Sequence, residues 1–343
     1  MSRARFFLIA SVAIFTAIGM AAWLKKKPAP LRETSQQVVE IPIALPAPKP
    51  VVKPAPVVKP VIVKPVEAPP APKSTSLLPK IEDALPEVDR IAGLFALDSS
   101  KLPIVETVSY TSRVPWLKGR PAWIADYASY FGTSRHFIAR SLNRKADYFT
   151  QKISPGDRFN VFRKDKNIAF HLLIDLSRCR MWFYYIDRDA NERVLLKTYR
   201  VGVGRQESSR TSGYLTPAGK YSLGEKVAIY KPGTMGFFLD QKTEMVRIFG
   251  TRWIPFDKEV EGCTESSKGY GLHGAPWIND SSNGQLVEDT SKLGKYDSDG
   301  CIRLTAADIE ELFAIVLTKP TVVELVKDFH EAKLPGIEKE FPK

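Results

Sequence analysis

SDGCIRL, residues 298 to 304, sets one thiol, Cys301, between a glycine and an apolar residue followed by arginine. Four roles are open to it: buried structural side chain, half of a disulfide, metal ligand or nucleophile. Upstream, GYGLHGAPW at 269 to 277 brackets His273 with Leu272 and Gly274. A strand ending in a glycine-flanked histidine leaves the imidazole accessible, and a thiol beside an imidazole can ionise to a thiolate–imidazolium pair suited to acyl transfer. Gly300 permits a sharp turn whose backbone N–H groups can point at a developing oxyanion.

The flanking patterns are mainly β. AFHLLIDLSRCRMWFYYID (169 to 187) and RVLLKTYRVGVG (193 to 204) are β-branched and aromatic runs separated by the polar turn RDANE, which reads as one hairpin. His171 and Cys179 fall inside the first run and read as strand residues without chemistry. TPAGKYSLGE at 216 to 225 is a turn shaped by Pro217 and Gly219 leading into a strand. After Cys301, Thr305 is an N-cap with Asp308 in the capping-box position, and Leu304, Ile309, Leu312, Phe313 and Val316 form one apolar face. KPTVVELV at 319 to 326 is the closing strand.

Cys179, Cys263 and Cys301 make an odd number for an exported chain, so at least one is free or paired outside the molecule. No CxxC or close Cys/His cluster is present, which argues against a structural zinc site.

Residues 1 to 80 hold 12 Lys/Arg against 3 acids, so most of the net charge of +12 sits in the tail and the body is nearly balanced. That distribution argues against a nucleic-acid groove, which needs cations clustered on a folded face. Arg3 and Arg5 precede an apolar run from Phe6 to Leu24, and Lys25, Lys26 and Lys27 follow. Nineteen residues at helical rise span roughly the 30 Å of a bilayer core, so residues 1–27 read as an uncleaved membrane anchor in preference to a removed signal. Residues 28–80 contain 14 of the 26 prolines. They read as an extended polyproline tether that holds a domain away from the membrane.

Residues 81–115 show no motif and read as a connecting segment. In 116–165, IADYASYFGTSRHFIARSLN and ISPGDRFNVF give two short helices around Gly132-Thr133-Ser134, then a Pro-Gly turn and a strand. Phe131, Gly132, Thr133, Ser134, Ile138, Asn143, Pro155 and Gly156 resemble the second half of the LysM glycan-binding module. The family's opening Gly-Asp-Thr is absent, with PAW at 121 to 123 near its place.

Residues 166–328 resemble the L,D-transpeptidase catalytic domain, also called YkuD. The resemblance rests on Thr216, Pro217 and Gly219, on Leu272, His273 and Gly274, and on Ser298, Gly300, Cys301, Ile302 and Arg303, in that order. It implies a β-sandwich or barrel with one long helix after Cys301, and 329–343 as a C-terminal tail. It further implies Cys301 as nucleophile, His273 as base oriented by the Gly274 carbonyl, and Ser298 and Gly300 shaping the nucleophile turn. Asp299 and Tyr270 would contact the substrate, and Arg303 would hold a substrate carboxylate or brace the loop. The implied partners are peptidoglycan stem peptides and glycan, with the membrane through the N-terminal helix and no nucleic acid; no metal or organic cofactor is implied. The implied reaction cross-links third stem residues through a Cys301 thioester. Water as acceptor would make a carboxypeptidase or amidase, and a Cys263–Cys301 disulfide would make a non-catalytic wall-binding protein.

Two departures stand out. Asp299 occupies the position of the family's usual histidine, and its carboxylate is expected to face His273 in preference to solvent, since an unpaired anion beside a thiol would raise the thiol pKa. In addition, 24 residues separate His273 from Ser298, and INDSSNGQLVED at 278 to 289 reads as a polar insertion that reshapes substrate access.

Overall fold

The computed structural model of the chain describes residues 85–143 and 152–339. The apolar run 6–24 and the proline tether 28–80 lie outside the described residues. Among those described, no helix is long and apolar enough to cross a membrane.

The chain enters through helix α1 (Ala92–Phe95) and strand β1 (Val105–Ser109), then helices α2 (Ile124–Phe131) and α3 (Arg135–Asn143), and strand β2 (Arg158–Phe162). Gly132 ends α2 in the left-handed conformation, at φ 54°, as helix C-termini commonly do. Ser134 caps α3 by accepting from the Phe137 N–H. β1 and β2 pair antiparallel, Val105 opposite Phe162. The segment read as a connector therefore supplies a strand to the small βααβ unit, a pairing of Val105 with Phe162, 57 residues apart, that no local pattern announces.

Strands β3 (Ile168–Asp175), β4 (Arg180–Asp187) and β5 (Glu192–Arg200) form an antiparallel meander. The first apolar run is thus two strands, not one. Its turn, Leu176 to Cys179, contains neither glycine nor proline, and Cys179 takes the bend at φ 50°. Both β3 and β4 are buried on both faces, which explains their unbroken apolar character. Phe170, Leu172 and Ile174 enter the main core with Met181, Phe183 and Tyr185. Ala169, Leu173, Trp182 and Tyr184 face a second cluster.

The chain continues through β6 (Val203–Gly204), β7 (Gly219–Leu223), β8 (Ala228–Ile229), the hairpin β9 (Met235–Phe238) and β10 (Gln241–Glu244), helix α4 (Val246–Phe249) and β11 (Arg252–Glu261). Then come β12 (Gly271–Gly274), β13 (Trp277–Asn279), β14 (Leu286–Glu288), β15 (Tyr296–Ser298), β16 (Ile302–Leu304), helix α5 (Ala306–Val316), β17 (Thr321–Val326) and β18 (Ile337–Glu338). One ten-stranded mixed sheet runs β16-β12-β11-β7-β17-β3-β4-β5-β18, with β8 beside β11. The described chain is mainly β, with α5, 11 residues, its longest helix.

The βααβ unit does not stand apart from this sheet. Phe137 of α3 joins the main core, and a chain of ring contacts links Phe137 with Phe162 at 4.6 Å, Phe162 with Phe170 at 5.8 Å and Phe170 with Phe183 at 5.3 Å. The Ser134 hydroxyl donates to the Ala314 carbonyl of α5.

Candidate active site

A parallel pairing at one end of the sheet brings Cys301 and His273 to the same region. β12 and β16 run side by side with Leu272 opposite Ile302 and His273 opposite Arg303. Side chains alternate across a strand. Leu272, Ile302 and Leu304 face the main core, so His273, Cys301 and Arg303 project from the other face. There Cys301 packs against Met245, Phe249 and Trp253, and the His273 ring lies 5.5 Å from Phe249 and 6.0 Å from Trp253. The thiol and the imidazole share one aromatic wall. No spacing in the sequence singled out α4 and β11 as its source.

His273 is buried, with Nδ1 2.8 Å from the Gly274 carbonyl oxygen. A carbonyl only accepts, so Nδ1 carries the proton and Nε2 is left basic. Burial pushes the imidazole down to about 3, the Arg303 cation adds to this, and the Gly274 carbonyl opposes it. Burial likewise pushes the Cys301 thiol up to about 12, against smaller lowering by the Gly271 backbone and Arg303. Burial thus disfavours the charged form of each group. The dry wall works against charging either group, and the Cys301 thiol donates to the Gly269 carbonyl at 3.6 Å.

The turn before Cys301 is tightly held. Ser298 Oγ donates to the Cys301 carbonyl at 2.6 Å and accepts from the Gly300 N–H at 3.1 Å. Gly300 sits at φ 124°, and a Cβ there would stand 2.5 Å from Tyr270 Cε1 and 2.8 Å from the Leu215 carbonyl oxygen. Tyr270 thus forms one side of the turn.

Asp299 does not face His273. Its carboxylate is exposed and pairs with the Arg205 guanidinium, a partner 94 residues away that sequence order hides. Arg303 Nη1 donates to Asp297 at 2.8 Å, which braces the strand before the turn. Its Nε is buried without a partner among the described residues. Cys179, Cys263 and Cys301 are all free thiols, which removes the Cys263–Cys301 disulfide.

The insertion after His273 is a hairpin, with Trp277 opposite Glu288. The Glu288 carboxylate accepts from the Ala306 N–H at the start of α5, and Arg247 of α4 donates to Asn279 at 2.8 Å. The polar segment is anchored at both flanks. A cavity of about 280 Å³ lined by Ser212, Lys220, Glu261, Glu324 and Lys333 includes neither Cys301 nor His273.

Residues 169–325 match the family described as the L,D-transpeptidase catalytic domain, YkuD. The chain carries a YkuD domain. The match spans β3 to β17 and encloses the wall, the turn and the histidine strand. Among solved structures, the helical cell shape determining protein Pgp2 from Campylobacter jejuni is 18% identical with a TM-score of 0.32, covering 50% of this chain and 54% of that one. Bd1075 from Bdellovibrio bacteriovorus is 16% identical with a TM-score of 0.29, covering 46% and 48%. The chain spans about half the length of each. No curated protein matches.

Proposed function

We propose that this YkuD domain is a cysteine acyltransferase acting on peptidoglycan stem peptides. The observation that carries the reading is the placement of Cys301 and His273 on one face of two paired parallel strands, against one wall, with Nδ1 committed to Gly274. The Cys301 sulfur attacks the carbonyl of the third stem residue while its proton passes to His273 Nε2. The C–N bond to the terminal D-alanine breaks, the proton moves to the departing amine, and a thioester remains. An amine of a neighbouring stem then attacks the thioester, the C–S bond breaks, and the thiol is restored. The backbone N–H of Cys301 would hold the oxyanion, the Gly300 N–H being taken by Ser298 Oγ, and Arg303, Tyr270 and Asp299 would border the bound stem.

The βααβ unit is proposed to hold glycan. Support comes from Trp123, 64% exposed at the start of α2, since a flat aromatic surface left to solvent suits a sugar ring. The proposed location is the cell envelope, with residues 6–24 as the membrane partner.

The test is incubation of the purified protein with stem tetrapeptide monomers and mass spectrometry of the products. A dimer lighter by one D-alanine supports the transpeptidase. A tripeptide without dimer would make water the acceptor, and unchanged substrate would overturn the reading.

A further inference from the structure

Thr216 is wholly buried, in a turn for which the proposed reaction supplies no role. Its hydroxyl accepts from the Gly204 N–H at 2.7 Å and lies 2.9 Å from the Gly300 carbonyl oxygen. A hydroxyl has one proton. The Gly204 contact uses it as an acceptor, so that proton goes to Gly300. The Thr216 carbonyl is itself held by Ser212 Oγ at 2.8 Å, and a Cβ at Gly204 would stand 2.5 Å from the Thr216 nitrogen. Strand β6, the 212–216 loop and the nucleophile turn are thus joined at one hydroxyl.

The Gly300 carbonyl and the Cys301 N–H belong to one planar trans peptide unit, so they point in opposite directions. Whatever fixes the carbonyl fixes the N–H. No acceptor among the described residues takes the Cys301 N–H, which leaves it free for a ligand. We propose that Thr216 is a positioning residue: by holding the Gly300 carbonyl it aims the Cys301 N–H at the oxyanion formed during acylation. This rests on the acyl-transfer reading of the Cys301 turn and adds to it the residue that orients its donor.

The experiment compares two reactions of the same sulfur in wild type, Thr216→Ser and Thr216→Val. Acylation by a carbapenem develops an oxyanion, whereas alkylation by iodoacetamide develops none. In Thr216→Val the acylation rate should fall roughly 10- to 100-fold, somewhat less than the loss of an oxyanion donor, while the alkylation rate stays within about threefold. Thr216→Ser, which keeps the hydroxyl, should restore acylation, and thermal unfolding identifies any variant that fails to fold. Equal losses in both reactions, or unchanged acylation in a folded Thr216→Val, would overturn the proposal. If Thr216→Val does not fold, acylation that is slowed in a folded Thr216→Ser in proportion to its alkylation would overturn it, and selective loss would support it. A wild-type protein that alkylates but is neither acylated nor active on stem peptides would instead overturn the acyl-transfer reading beneath it.

Discussion

The imidazole of His273 holds its Nδ1 2.8 Å from the carbonyl oxygen of Gly274, one residue ahead in the same strand. The aromatic wall around the ring disfavours its charged form against the pull of that carbonyl, and a pH dependence follows. His273 drops from 6.5 to about 3 on folding, so between those values the unfolded chain binds a proton that the native protein refuses. This contribution to stability is complete above about pH 6.5 and is lost as the pH falls toward 3. Cys301 rises from 9.0 to about 12. Its contribution is complete below pH 9 and is lost as the pH rises toward 12. Urea unfolding from pH 4 to 8 should show a shallower acid-side decline for His273→Gln than for wild type, by up to about 1.4 kcal/mol per pH unit. Parallel curves would show that the ring is protonated in the native state.

Asp299 is exposed and paired with Arg205, and charges in water interact weakly. Asp299→Asn should therefore shift the pH profile of Cys301 alkylation downward by less than about 0.5 unit, with the shift shrinking in high salt. An upward shift would place the carboxylate beside the imidazolium after all.

Gly300 has no room for a side chain. Gly300→Ala forces a Cβ to 2.5 Å from Tyr270 at φ 124°, so the turn must open. Stability should fall by about 1–3 kcal/mol and turnover by at least about 100-fold. Adding Tyr270→Ala relieves one contact, not the backbone angle or Leu215, and should not restore turnover.

Cys301→Ala should abolish turnover and carbapenem labelling. Cys263→Ala and Cys179→Ala should keep both, since Cys263 donates to the Lys220 carbonyl and Cys179 lies buried in the β3–β4 turn, away from the wall. Labelling that survives Cys301→Ala and vanishes in either other variant would move the nucleophile.

The ring ladder from Phe137 to Phe183 makes the βααβ unit part of the catalytic core. Phe137→Ala should cost about 3–5 kcal/mol in a single cooperative transition. Deleting 81–165 should remove activity on soluble stem peptides as well as on intact sacculi, because it uncovers Phe170. A deletion protein with full activity on soluble peptides would show the unit to be an independent attachment.

Local chemistry in the sequence determined a good deal. Thr305 caps α5 through the Asp308 N–H at 3.0 Å, the β-branched runs became strands, and ordered motifs around His273 and Cys301 marked a family before any coordinates. These are properties of neighbouring residues, whose φ/ψ preferences and side-chain period are written within a few positions. The tertiary structure decided what depends on distant partners and on water. It gave Asp299 to Arg205, paired β1 with β2, bent the chain at Cys179 without glycine or proline, and drew Phe249 and Trp253 over the thiol and the imidazole. That last step set their charge, since the pKa of a buried group follows from what displaces its solvent, and residues far apart in the chain do the displacing.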